Sequence, residues 1–145
     1  MKILVINGPS INMLGIREPH IYGTATYAEL EKLIADKAKD CGAIVECFQS
    51  NHEGAIIDRI HSAYKVFDGI IINAAAYSHT SIAIADALRA IGARVVGVHI
   101  SDTTRREDYR KVDYIADVAE KYFIGLGTDG YIRAIEYLLS TPPKG

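Results

Sequence analysis

Three observations predict an α/β domain with a parallel sheet for this chain of 145 residues. Short β-branched runs alternate with segments of helical period. One run, Gly69-Ile70-Ile71-Ile72-Asn73, is almost uninterruptedly apolar, as in a strand covered on both faces. The composition, 49% hydrophobic and 23% charged, is that of one globular unit spanning 1–145. At this length folding buries roughly 68–70% of the unfolded surface, so a core forms without cross-links.

Each element follows in order. Lys2 to Asn7 reads as a first strand, which Gly8-Pro9 breaks. Residues 8–25 carry Gly8, Pro9, Gly15, Pro19 and Gly23 and little periodicity, which predicts a long ordered loop; a loop of that length calls for a function. Thr26-Tyr27-Ala28-Glu29 matches a capping box, and Leu30, Leu33, Ile34, Ala38 and Cys41 share one helical face up to Gly42. Ala43 to Gln49 is a second strand. Ser50-Asn51-His52-Glu53 resembles another capping box, leading into Ile56, Ile57, Ile60 and Tyr64. After the apolar strand, Ser81 to Ile91 places Ile84, Ala87, Leu88 and Ile91 at helical spacing. Arg94 to Ile100 is the fourth strand and Lys121 to Leu126 a shorter fifth. Thr128 to Ser140 closes as a helix with Ile132, Ile135, Leu138 and Leu139 inward, ended by Thr141-Pro142-Pro143. Helices between strands imply right-handed crossovers, and five strands is the number in the flavodoxin-like order 2-1-3-4-5, a three-layer sandwich.

Several function classes fall away on composition. Sixteen Lys and Arg against eighteen Asp and Glu give a net charge of -2, with no basic stripe for nucleic acid. No apolar run approaches the roughly 20 residues that cross a bilayer, and Met1-Lys2 leads directly into the first strand, so a membrane role is not expected and the cytoplasm is. Cys41 and Cys47 lack any metal spacing and are expected as buried free thiols.

In such sheets ligands bind beyond the carboxyl ends of the strands. Those ends carry Asn7, Ser10 and Asn12, then Ser50, Asn51 and His52, then Asn73, Tyr77 and His79, then His99, Ser101 and Asp102. There is no GxxxxGK[ST], no GxGxxG and no acidic pair after the first strand, so nucleotide and phospho-acceptor roles are disfavoured, and Gly125-Leu126-Gly127 reads as a strand-to-helix turn. The set has more amides and hydroxyls than carboxylates, and its histidines, His52, His79 and His99, lack HxxxH spacing; it suits a sugar-like or hydroxy-acid ligand better than a metal. His99, directly after a strand, is placed for acid–base work, with a structural role equally open, whereas His61, mid-helix, and His20, in the loop, are given no functional role. The loop holds Arg17 and Tyr22. A tyrosine there is usually only a packed aromatic, but an adjacent guanidinium favours the phenolate, and a closing lid would add the desolvation that one exposed arginine lacks.

These residues resemble the type II 3-dehydroquinate dehydratase family along almost the whole chain. The carriers are Ile6-Asn7-Gly8-Pro9, Asn12, Leu14-Gly15, Arg17-Glu18-Pro19, Tyr22-Gly23, Gln49 to Gly54, Ile71-Ile72-Asn73, His79-Thr80-Ser81, Asp86-Ala87, Val98-His99-Ile100-Ser101, Arg106-Glu107 and Arg110. The resemblance implies a lyase with no cofactor that removes water from 3-dehydroquinate by anti elimination through an enolate, in the shikimate pathway or in quinate catabolism. It also implies a homo-oligomer, a dodecamer of four trimers. Tyr22 would be the base, Arg17 would favour its phenolate and move with the lid, and His99 would protonate the leaving hydroxyl. Asn73 and His99 would hold ring hydroxyls, Ile100 and Ser101 the carboxylate, and Arg110 and His79 the polyol side, while Asp86 would reach in from a neighbouring subunit.

The chain also departs from that family. Ser10 stands in place of an asparagine that would help hold a water at the enolate oxygen, while Asn12 remains a candidate site residue. Gly97 replaces a glutamate that orients the imidazole, Ala75-Ala76 a glycine turn, Asp102 an asparagine beside the carboxylate pocket, Thr104 a histidine and Ala85 an arginine. A carboxylate at Asp102 would repel an anionic substrate by roughly 3 kcal/mol at 6 Å and an effective dielectric of about 20, unless it pairs with Arg105 or Arg106. These departures set two alternatives beside the family activity: a lyase or isomerase acting on another keto-polyol, and a catalytically silent homologue.

Overall fold

The structure, a computed structural model, describes residues 1–143. Five parallel strands, β1 (Lys2–Asn7), β2 (Ile44–Gln49), β3 (Gly69–Asn73), β4 (Arg94–His99) and β5 (Lys121–Ile124), form one sheet in the order β2-β1-β3-β4-β5, as predicted. Five helices complete it: α1 (Pro19–Tyr22), α2 (Tyr27–Asp40), α3 (Glu53–Ser62), α4 (Ile82–Ile91) and α5 (Asp129–Ser140).

Strand alternation divides the core into two layers. Ile3, Val5, Ile71, Val96 and Val98 face Leu30 and Ile34 of α2 and Ala134, Ile135 and Leu138 of α5. Leu4, Ile6, Ile70, Ile72 and Val95 face Ile56 and Ile60 of α3 and Ile84, Ala87 and Leu88 of α4. The central strand β3 is buried throughout. Parallel register aligns the polar ends: Asn7 lies opposite both Gln49 and Asn73. Gly8 lets the chain leave β1, since a Cβ there would lie 2.5 Å from the Ala74 carbonyl oxygen.

Local details correct the sequence reading. The 8–25 loop contains two helical turns, Ile11–Met13 and α1, the second begun by Pro19 at its first position after Glu18 at φ 36°. Thr26 accepts from the Glu29 amide as a helix cap. The second proposed capping box fails: His52 is the cap residue of α3 and makes no side-chain bond, while Ser50 Oγ accepts from His52 N. The phase of α5 is shifted by one residue, so Tyr131 is fully buried whereas Leu139 is exposed; Leu33, Tyr64 and Cys41 are exposed as well. Both cysteines are free, Cys47 partly buried. No helix among the described residues is long and apolar enough to cross a membrane.

Candidate active site

The strand ends and the 8–25 loop meet around a pocket of about 100 Å³ lined by Ser10, Arg17, Tyr22, Asn73, His99 and Arg110, among others. A larger opening, about 980 Å³, lies on the other side of Tyr22, between the loop, Ser101-Asp102 and Gly125 to Asp129. Tyr22 and Ile100 border both. The smaller pocket is where the acid–base groups converge.

Tyr22 ends α1, and its phenolic oxygen accepts two charged hydrogen bonds, from Arg106 Nη1 at 2.6 Å and Arg17 Nη2 at 3.1 Å. The Arg17 guanidinium also lies 4.3 Å from the ring centroid. Two cationic donors on one oxygen stabilise negative charge there about twice as strongly as neutral donors would. Arg106 also reaches Ser101 Oγ, at 3.4 Å.

The opposite wall is buried. Asn73 donates from Nδ2 to the Tyr131 hydroxyl at 2.8 Å, and that hydroxyl donates to Asn7 Oδ1 at 2.6 Å. Asn73 Oδ1 accepts from Ala75 N at 3.1 Å, holding Ala75 at φ 52°. The alanine therefore takes the left-handed backbone that a glycine would adopt freely. Tyr131 went unnoticed in the sequence because the helix phase placed Ile132 inward; the run Tyr131, Ala134, Ile135, Leu138 carried the signal.

His99 is 6% exposed and stacks against His79, centroids 5.5 Å apart, and against Tyr122, 6.4 Å apart. His79 Nδ1 lies 2.6 Å from the Val112 carbonyl. A carbonyl only accepts, so Nδ1 carries the hydrogen and the neutral ring presents Nε2 as an acceptor. Nε2 of both His79 and His99 is buried without a partner. An unpaired buried polar atom is costly, which makes these two nitrogens natural points for a ligand. Burial, then the charges of His79, Arg106 and Arg110, pull His99 down from 6.5 to about 4, partly offset by a backbone hydrogen bond to Ala75. The imidazole is neutral when the pocket is empty at neutral pH.

The remaining candidates divide. Arg110 lines the pocket and is steadied by Glu107 at 2.8 Å. Ser10 lines it too, with φ 67° and its amide donating to Asn51 Oδ1. Ile100 and Ser101 border the larger opening. Asn12 accepts from Gln49 on the exposed side, and His52 lies exposed at the cap of α3, so only two of the three strand-end histidines come together. Asp86 is exposed on α4, ion-paired with Arg89, away from this pocket. Asp102 is occupied by its own turn: Oδ1 accepts from Thr104 N at 3.0 Å and Thr104 Oγ1 at 2.6 Å, and Oδ2 pairs with Arg105 at 3.5 Å. Those bonds hold its carboxyl below the usual range. Among the described residues no three His, Cys, Asp or Glu side chains converge as a metal site.

Dehydroquinase class II is the family whose pattern matches residues 1–139. The chain belongs to this family. It is 52% identical to the 3-dehydroquinate dehydratase of Endomicrobium trichonymphae over 139 residues, 96% of this chain and 97% of that one. It is 49% identical to catabolic 3-dehydroquinase 1 of Aspergillus terreus over 137 residues, 94% and 90% of the two chains. The crystal structure of a type II dehydroquinase from Butyrivibrio crossotus superposes with a TM-score of 0.95 at 48% identity, covering 97% of this chain and 98% of that one. At Gly97 in this class II dehydroquinase a Cβ would lie 3.0 Å from the Tyr122 ring, which would have to give way.

Proposed function

We propose that this chain is a hydro-lyase that removes water from 3-dehydroquinate by anti elimination, with Tyr22 as base and His99 as acid. The observation that carries this is the pairing across one pocket of a phenolic oxygen held by two guanidinium groups and a buried imidazole with an unpartnered nitrogen. The relatives are named for the same reaction.

The chemistry follows from charge. The proton next to the ketone is acidified by the carbonyl; Tyr22 takes it, and the C–H electron pair becomes the enolate. The enolate then re-forms the ketone as the conjugated double bond and expels the β-hydroxyl, which leaves as water with a proton from His99. A neutral imidazole with its ordinary value lowered to about 4 is a poor acid in the empty pocket. A substrate anion roughly 5 Å away, at an effective dielectric of about 20, favours imidazolium by about 3 kcal/mol, enough to return the group to the neutral range. The substrate thus charges its own acid. Arg110 and Arg106 bind anionic or hydroxyl groups of the substrate, as do His79 Nε2, Asn73, Ser101 and the Ile100 backbone. No cofactor is needed, because the carbonyl is itself the electron sink.

The pocket, at about 100 Å³, falls below the roughly 300 Å³ of ordinary ligand sites, so the Tyr22 loop swings out to admit substrate. Asp102 does not argue for another keto-polyol, since its carboxylate is consumed by Thr104 and Arg105. Asp86, exposed and outside its own pocket, is free to enter a neighbour's, and the assembly we infer is the dodecamer of four trimers, read by sedimentation. Two free thiols suit a reducing cytoplasm. The deciding experiment supplies 3-dehydroquinate and follows the ultraviolet absorbance of the conjugated enone. Turnover is expected; none at any substrate concentration would overturn the reading.

A further inference from the structure

The register of the sheet places Tyr122 of β5 beside Gly97 of β4, two residues before His99. The Tyr122 ring fills the space a side chain at 97 would occupy and then continues under the imidazole, nearly parallel to it at 18°. Its hydroxyl donates to Asp113 Oδ2 at 2.8 Å. Asp113 is itself fixed, because Oδ1 accepts from the amides of Ile115 and Ala116 at 2.9 and 3.1 Å. The tyrosine is therefore clamped at both ends, by the imidazole stack and by a carboxylate rooted in the turn after residue 112.

The surroundings of His99 give this arrangement a purpose. The titratable and charged groups that face it are all basic: His79 from the turn after β3, and Arg106 and Arg110 from the turns after β4. No carboxylate is among them, although an imidazole that must carry a proton during a reaction ordinarily has one to orient its ring and balance its charge. An offset-stacked aromatic face supplies the first of these, since it fixes the ring plane, and it also keeps water from the ring.

We propose that Tyr122, braced by Asp113, is a positioning residue for His99, setting the plane of the imidazole and sealing it from water in place of a carboxylate partner. This rests on the assignment of His99 to the reaction, and the test separates the two. Nuclear magnetic resonance of the substrate-free protein follows the His99 ring through its titration in the wild type, Tyr122→Ala and Tyr122→Phe, alongside kcat and KM for 3-dehydroquinate. Tyr122→Ala opens the imidazole to water, so its midpoint is expected to rise from about 4 by a unit or more, with kcat lowered tenfold or more and KM within threefold. Tyr122→Phe keeps the stack but releases Asp113, and is expected to keep most of the low midpoint. An unmoved midpoint with wild-type kcat in Tyr122→Ala would overturn the proposal. Should Tyr122→Ala not fold, Gly97→Ala decides: its Cβ, 3.0 Å from the ring, makes Tyr122 give by a few tenths of an ångström and is expected to change both the His99 signals and kcat, and no change in either would again overturn it. A shifted His99 midpoint in a protein inert toward 3-dehydroquinate would sink the proposed reaction and leave the positioning role standing.

Discussion

The loop wall of the pocket carries Arg17 and Tyr22, whose phenol Arg106 also holds from the turn after β4, whereas the sheet wall carries His99, with His79 stacked against it and a buried unpaired nitrogen on each imidazole. The first wall is partly exposed and rich in cations; the second is set against the apolar core by Asn73 and Tyr131. The difference separates two charge states. Guanidinium donors stabilise an anion on the loop side, while burial and neighbouring cations disfavour a cation on the sheet side.

The sharpest way to break the comparison is on the loop side. Tyr22→Phe keeps the ring between its two arginines but removes the oxygen they hold, and turnover of 3-dehydroquinate should fall by about 10²–10⁴-fold with an unchanged circular dichroism spectrum. Wild-type turnover would remove Tyr22 as base.

On the sheet side the effect is on stability. Tyr131→Phe leaves Asn7 Oδ1 without its donor and Asn73 Nδ2 without its acceptor, both buried, so unfolding in urea should show a loss of about 2–4 kcal/mol. A loss below about 0.5 kcal/mol would mean that the amides find other partners.

His99 adds a pH dependence. Its native value, about 4, lies below the ordinary 6.5, so as the pH falls the unfolded chain binds that proton first. The stability this gives is complete above pH 6.5 and is lost progressively down to about pH 4, by about 3 kcal/mol in all. His99→Gln should flatten the urea midpoint across that window; an equally steep fall would place the titration elsewhere.

The smallest effect belongs to Asp102. Because its carboxylate is occupied, Asp102→Asn should leave KM for 3-dehydroquinate within about threefold and loosen its turn only slightly. A hundredfold gain in affinity would restore the idea of a repulsive pocket.

How much of this was legible in the sequence follows the same divide. Strand alternation and helical period depend on neighbours along the chain, so the five strands emerged correctly, while their order came from analogy with the flavodoxin-like fold and agrees with the sheet. Tyr22, Arg17, Asn73, His99 and Arg110 were each suggested by their place after a strand or in the loop, or by resemblance, and the pocket brings them together. What failed was longer in range or finer in phase. Arg106 stands 84 residues from the phenol it donates to, which no spacing rule reports. Gly97 read as the loss of a partner for His99, because only the register with β5 shows the tyrosine that fills the gap. Ala75 read as the loss of a glycine turn, yet its amide bond to Asn73 holds φ at 52°, the region a glycine would take. Tyr131 was missed by a single-residue error of helix phase.

The division of labour between the walls is tested most directly by proton exchange. In deuterium oxide, nuclear magnetic resonance follows exchange of the proton next to the ketone of 3-dehydroquinate, alongside formation of the enone. With the base on the loop and the acid on the sheet, His99→Gln still exchanges that proton while dehydration collapses, because Tyr22 forms the enolate but no acid releases the hydroxyl, and Tyr22→Phe loses both. Persistent exchange in Tyr22→Phe, or its loss in a folded His99→Gln variant, would contradict that assignment.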